Sequence, residues 1–257
     1  MGRNMSLVVA CGQTDVGKTR SNNEDCFKVL VGKEAPKSID ALMVVADGMG
    51  GHAAGEVASA MTVDGMVRHL TIRALEATTP GEDYSHLLGQ ILIEVNREVR
   101  LAGRNPERRG MGTTCTAAVL KDNQVHVAHV GDSRGYILRG GRLVQITKDH
   151  SWVAQQVEEG NLTPEQADNH PYRNVVTRAI GIDENVKIDT LVKSVATGDR
   201  VMLCSDGLNS VVGNSEIEAT LKSGDVKSAC ESLIALANAN GGPDNITVTV
   251  AETVSLD

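Results

Sequence analysis

Acidic side chains stand at five places in this chain where an apolar run meets a turn: Glu24 with Asp25, Asp47, Asp132, Asp206 and Asp244. Each is flanked by Gly, Ser, Asn or another acid, small or polar neighbours that let carboxylates and carbonyls approach one another. Carboxylates brought together repel unless cations neutralise them, so convergence of these five places would call for hard divalent ions. No Cys-x-x-Cys and no paired His accompanies them, and oxygen-only ligation suits Mg²⁺ or Mn²⁺ better than Zn²⁺. Asp47 is the best placed. The run Ala41, Leu42, Met43, Val44, Val45 leads to it, and Gly48, Gly50 and Gly51 then allow close backbone approach before a helix begins. Arg20, just ahead of Glu24 and Asp25, offers a planar fork matched to phosphate oxygens. An Asp-Gly pair after a strand is also an ordinary turn, so the chemistry rests on whether the five places meet.

The elements that must position these acids are readable in outline. Residues 7–11, 26–32, 41–45, 113–120, 124–130, 135–139, 142–147, 175–181, 186–195, 201–204 and 246–250 read as strands. Short turn signals such as Asp122-Asn123 and Gly140-Gly141 separate those from 113 to 147, which argues for antiparallel hairpins. Residues 246–250 alternate Ile246, Val248 and Val250 with Thr247 and Thr249, the pattern of a half-buried strand. Helices are expected from His52, with Val63, Val67, Leu70 and Ala74 as its buried stripe and Pro80-Gly81 as its stop, and over 84–102, with Leu88, Ile91, Leu92, Val95 and Val99 inward. Two more are expected over 215–222 and 225–240. Residues 148–178 are polar, hold the only Trp and carry one short helix, which suggests a surface excursion or lid.

One motif points elsewhere. GQTDVGKT, residues 12–19, fits the phosphate-loop pattern G-x-x-x-x-G-K-[ST] behind a strand. That motif needs a helix directly after Lys18 and Thr19, and RSNNED follows instead, poor in helix formers and without apolar periodicity.

Composition narrows the classes further. The chain has 257 residues, a net charge of −8 and only five aromatic side chains, so neither a basic surface nor a base-stacking platform for nucleic acid is expected. Val, Leu, Ile, Ala and Met must fill the core. Five cysteines, an odd number, read as small core residues in a reducing compartment. No apolar stretch approaches the roughly 20 residues of a membrane span, and the expectation is a cytoplasmic protein.

RSNNED, VVADGMGGHAAGE, GTT, VGDSRGY, KDHS, VVTRAIG, LCSDGL and GGPDNITV follow one another between residues 20 and 250. Together they resemble the metal-dependent type 2C (PPM) protein serine/threonine phosphatases, in their bacterial branch. The resemblance implies an α+β fold, a four-layer α-β-β-α sandwich of two packed antiparallel sheets flanked by helix pairs. It implies one domain over residues 1–257, with a flap-like insertion at about 148–178. By the resemblance, Asp47, the Gly48 carbonyl, Asp206 and Asp244 would hold two Mn²⁺ or Mg²⁺ ions. Glu24 and Asp25 would hold them directly or through water, Asp132 would help bind a third ion, and Arg20 would clamp the substrate phosphate. A water bridging the two ions would attack the phosphomonoester directly, since the chain has neither a C-x-x-x-x-x-R loop nor a D-x-D-x-[TV] segment to form a phosphoenzyme. Some relatives carry DGHG, whose His could protonate the leaving alkoxide. Met49 stands there in this chain, so that proton would come from metal-bound water or from His52. Substrates would be phosphoserine and phosphothreonine proteins, opposing a separate protein kinase, with no nucleic-acid or membrane partner. A noncatalytic metal-binding regulator of the same fold is the alternative, and a phosphate-loop nucleotide-binding protein a weaker one.

Overall fold

A computed structural model of the chain describes residues 6–50, 54–76 and 83–255. Strands β1 (Ser6–Asp15), β2 (Asp25–Val31) and β3 (Ala41–Met49) lead to helices α1 (Ala54–Glu76) and α2 (Tyr84–Ala102). Then come β4 (Gly112–Thr113), β5 (Cys115–Lys121), β6 (Gln124–Val130), β7 (Arg134–Arg139) and β8 (Arg142–Gln145), followed by the short helices α3 (Trp152–Glu158) and α4 (Pro164–Asp168). The chain closes with β9 (Asp189–Ser194), β10 (Arg200–Cys204), α5 (Asp206–Asn209), α6 (Asn214–Leu221), α7 (Val226–Ala239) and β11 (Ile246–Ser255).

Two antiparallel sheets result, one ordered β1-β11-β10-β7-β8 and the other β2-β3-β5-β6-β9, with β4 added beside β3. Period-two side-chain alternation explains how they stack. On β3, Leu42, Val44 and Ala46 pack under α1 and α2, while Ala41, Met43 and Val45 face the other sheet, against Val8, Val201, Leu203 and Ala251. On β11, Ile246, Val248 and Val250 lie against α7 and α6. Both strands are therefore covered on both faces, which is why β3 reads as an unbroken apolar run. The layers are α1 and α2, sheet, sheet, α6 and α7, the expected α-β-β-α sandwich.

The structure departs from the sequence reading in several places. β1 continues to Asp15, paired with β11 down to Ile246, so half of the phosphate-loop motif is strand. No helix follows Lys18. Gly17 instead takes φ +78° and packs where a Cβ would lie 2.2 Å from the Asp244 carbonyl, and the Lys18 amide donates to the Gly242 carbonyl at 2.7 Å. The motif braces the Asp244 loop, and the phosphate-loop reading falls. Residues 175–181 form no strand: they make single bridges, Val176 with Ser151 and Ile180 with Thr113, because they cross two different segments in turn. The 148–178 stretch carries two helices, the second opened by Thr163, whose hydroxyl and Gln166 form a capping box around Pro164. Thr247 and Thr249 are fully buried, since their face of β11 meets the second sheet and not water. The start of the first helix at His52 and its stop at Pro80-Gly81 lie outside the described residues. Among the described residues no helix is long and apolar enough to cross a membrane.

Candidate metal centre and active site

The acids meet at one end of the sandwich. Asp25 and Asp47 are direct cross-strand partners on β2 and β3, so their side chains leave the same face, the one that looks into the space between the sheets. Like charges placed opposite one another destabilise a ladder. From the other sheet, Asp206 follows β10 and Asp244 precedes β11, two strands paired side by side. Asp132 follows β6. The Asp47 carboxyl is held well above its ordinary range by loss of solvent and then by Asp25, Asp206, Asp132 and Asp244 in that order. Asp206 is raised by burial and by Asp244, with Asp47, Arg20 and Arg134 acting against the rise. Burial and then Asp206 and Asp149 push Asp132 up to about 8. Glu24 is raised by burial, against Arg20, with Asp244 and Glu56 adding to the rise. The structure thus gathers Glu24, Asp25, Asp47, Asp132, Asp206 and Asp244, with Arg20 at the margin; His52 lies outside the described residues.

Four of these acids, Glu24, Asp25, Asp47 and Asp244, are held from behind. The Asp47 amide donates to the Thr114 hydroxyl at 2.9 Å, and its carbonyl accepts from the Thr113 hydroxyl at 2.8 Å and the Thr114 amide at 2.9 Å. Asp25 Oδ2 accepts from the Ser205 and Thr247 hydroxyls, each at 2.7 Å, so a group of one sheet is tied to two residues of the other. Its second oxygen, Oδ1, is buried with no partner among the described residues. Asp244 Oδ1 accepts from the Asn245 amide at 2.9 Å, and Oδ2 accepts from Arg20 Nη2 at 2.8 Å. Asn245 also accepts from the Glu24 amide at 2.8 Å and donates to the Val16 and Asn22 carbonyls, locking the Arg20 to Asp25 segment onto the Asp244 loop. Glycine is required where these backbones touch. A Cβ on Gly48 would lie 2.2 Å from the Gly55 carbonyl oxygen, and one on Gly207 2.0 Å from that of Asn245.

Sequence reasoning found the acids and missed what holds them: Thr113, Thr114, Ser205, Asn245 and Thr247. The dipeptides Ser205-Asp206 and Asp244-Asn245 were the available signal for two of them, because a short polar side chain beside a functional acid is well placed to orient it.

Whether cations fit is decided by the donor set. Six carboxylates, a buried carboxylate oxygen without a partner among the described residues, and mutual repulsion against which Arg20 and Arg134 act form a site that hard cations would neutralise. No three acidic, His or Cys side chains among the described residues make a ready single-ion cage. Carboxylates that do not form such a cage suit ions that keep part of their water.

A sequence profile described as protein phosphatase 2C matches residues 18–242. The serine/threonine phosphatase stp of Listeria monocytogenes is 41% identical over 245 residues, 93% of this chain and 94% of that protein. The crystal structure of the Mycobacterium tuberculosis serine/threonine phosphatase PstP/Ppp superposes with a TM-score of 0.85 at 38% identity, covering 97% of this chain and all of that one. A second structure, the PstP catalytic domain in complex with 2 manganese ions, has a TM-score of 0.81 at 37% identity over 98% of this chain and all of that one. The chain belongs to the protein phosphatase 2C family of serine/threonine phosphatases.

Proposed function

We propose that the chain hydrolyses phosphoserine and phosphothreonine monoesters in proteins by direct attack of water, at a pair of divalent cations held by Asp47, the Gly48 carbonyl, Asp206 and Asp244. Glu24 and Asp25 complete the set directly or through water, and Asp132 serves a third ion. The observation that carries this reading is the convergence of carboxylates from both sheets around Asp25, whose Oδ1 is buried without a partner among the described residues. Bound there, two divalent cations supply an acidified water and charge stabilisation for an in-line displacement at phosphorus. The protein supplies position. The Thr113 and Thr114 hydroxyls fix the Asp47 main chain, Ser205 and Thr247 fix Asp25, and Asn245 fixes Glu24 against Asp244. Arg20, whose side chain is 53% exposed, reaches from the Asp244 carboxylate toward solvent, where a substrate phosphate would arrive. With no nucleophilic side chain assigned at phosphorus, the phosphoryl group goes to water in one step, and the Ser or Thr oxygen leaves as the alcohol, gaining the proton that the attacking water gives up.

Manganese is the metal of choice on the strength of the PstP structure that contains it, with magnesium the alternative for an all-oxygen site. Residues 148–178 form a flap in a single phosphatase domain, and the physiological substrates are phosphoproteins made by a separate kinase. The test is phosphate release from a phosphothreonine peptide by metal-stripped protein. Turnover should be absent in chelator and appear on adding Mn²⁺, and turnover that survives chelation would remove the proposal.

A further inference from the structure

Asp132 sits in a turn that another part of the molecule holds. Gly131 before it takes φ +111°, packed where a Cβ would lie 2.5 Å from Thr114 Cβ, so its peptide runs tight against the segment that also fixes Asp47. Both polar groups of Gly131 go to one residue. Its carbonyl accepts from the His150 amide at 2.7 Å, and its amide donates to His150 Nδ1 at 3.1 Å. His150 is 3% exposed. Because Nδ1 accepts, the ring proton of the neutral imidazole is on Nε2, and Nε2 donates to Asp189 Oδ2 at 3.2 Å. Arg178 Nη1 donates to the other oxygen, Asp189 Oδ1, at 3.0 Å. Arg178 Nη1 also lies 3.1 Å from Nε2, a contact that makes no hydrogen bond while Nε2 carries the proton, so Asp189 is what accepts it. The His129 ring, with its centroid 4.8 Å away, covers the imidazole. His129 is itself fixed, with Nδ1 accepting from the Thr116 hydroxyl at 2.9 Å and Nε2 donating to the Lys148 carbonyl at 3.0 Å.

None of this contacts the acids directly, and an imidazole used only to fill space would not need a set tautomer. We propose that His150, kept in its Nε2-protonated form by Asp189, which Arg178 in turn holds, is a positioning residue whose Nδ1 fixes the Gly131–Asp132 peptide and thereby the place of the Asp132 carboxylate in the metal centre. The chain of contacts joins both ends of the 148–178 stretch to that centre, since the His150 carbonyl also accepts from the Thr177 amide at 2.7 Å and from its hydroxyl at 3.0 Å. The inference rests on the reading of Asp132 as a ligand.

The test is calorimetric titration of metal-stripped protein with Mn²⁺, with Asp132→Asn as reference and the melting temperature of each variant recorded alongside. Asp132→Asn removes or weakens one binding event. His150→Gln, whose amide reaches toward the Nε2 position, and Asp189→Ala weaken that same event by about tenfold or more and leave the others at wild-type affinity. His150→Asn, which returns an amide oxygen near the Nδ1 position, keeps it within about threefold. Asp189 is 35% exposed at its side chain, so Asp189→Ala carries the test if His150→Gln does not fold. Wild-type binding in Asp189→Ala overturns the inference, as does equal loss in His150→Asn and His150→Gln that follows their melting temperatures. Wild-type binding in Asp132→Asn removes the ligand reading of Asp132 itself, and the inference with it.

Discussion

Asp206→Asn lowers kcat on a phosphothreonine peptide by on the order of a thousandfold at saturating Mn²⁺, while the metal-free protein melts higher than wild type at pH 8. The two effects share one cause. Asp206 stands among carboxylates that repel it, and burial with Asp244 raises its own pKa. A carboxyl whose folded pKa lies above its unfolded value contributes most below the unfolded pKa, near 4, and that contribution is lost as pH rises through the folded value. Asp25 and Asp132, pushed up to about 7 and about 8, set the upper end of the window. Without metal the wild-type fold therefore loses stability between about pH 4 and pH 8. Asparagine removes one charge from the cluster, so the difference in melting temperature grows with pH across that window. In wild type, Mn²⁺ offsets the same repulsion and raises the melting temperature more at pH 8 than at pH 5. Rate measurements and melting curves at several pH values check both halves. An Asp206→Asn protein that keeps wild-type kcat, or is less stable than wild type at pH 8 without metal, contradicts the assignment.

Arg20→Ala is expected to reduce kcat/KM by about thirty- to a hundredfold, the loss of a charge-assisted hydrogen-bonded partner for phosphate. Arg20→Lys recovers only part of this, because an ammonium cannot reproduce the planar two-point fit to phosphate oxygens. Among the described residues the half-exposed guanidinium is anchored at one nitrogen, Nη2 on Asp244 Oδ2, which leaves its remaining N–H groups for a ligand. Since Arg20 is not itself a metal donor, the Mn²⁺ concentration needed for half-maximal rate should change far less than kcat/KM does. Steady-state kinetics at several Mn²⁺ concentrations separates the two quantities. Equal shifts in both would make Arg20 a support of the metal centre and not a phosphate clamp.

Local signals in the sequence were enough for much of the fold. Helix α2 runs over the expected residues, with all five expected apolar positions buried, because a 3.6-residue stripe is written within one stretch of chain. β3 was equally plain, being apolar on both faces. The acids were legible for the same reason, each at the end of a readable strand. What could not be read were relations between distant residues. Thr247 looked solvent-facing by alternation, yet it bonds Asp25, 222 positions away, because a second sheet covers its face. Residues 175–181 had strand composition but meet two different partners at single bridges, and pairing is a property of neighbours. The phosphate-loop motif was local as well, and it misled in a specific way: its second glycine is needed for packing on the Asp244 loop, with no phosphate involved.

The central claim is that carboxylates from the two sheets make one divalent-metal centre, and anomalous scattering from crystals grown with Mn²⁺ tests it most directly. The account predicts two strong manganese peaks at the sheet ends, both beside the Asp47 carboxylate, with Asp206 and Asp244 against them and a weaker third peak at Asp132. Crystals soaked in Mn²⁺ that show no peak within reach of Asp47, or peaks only at surface carboxylates elsewhere, would contradict it.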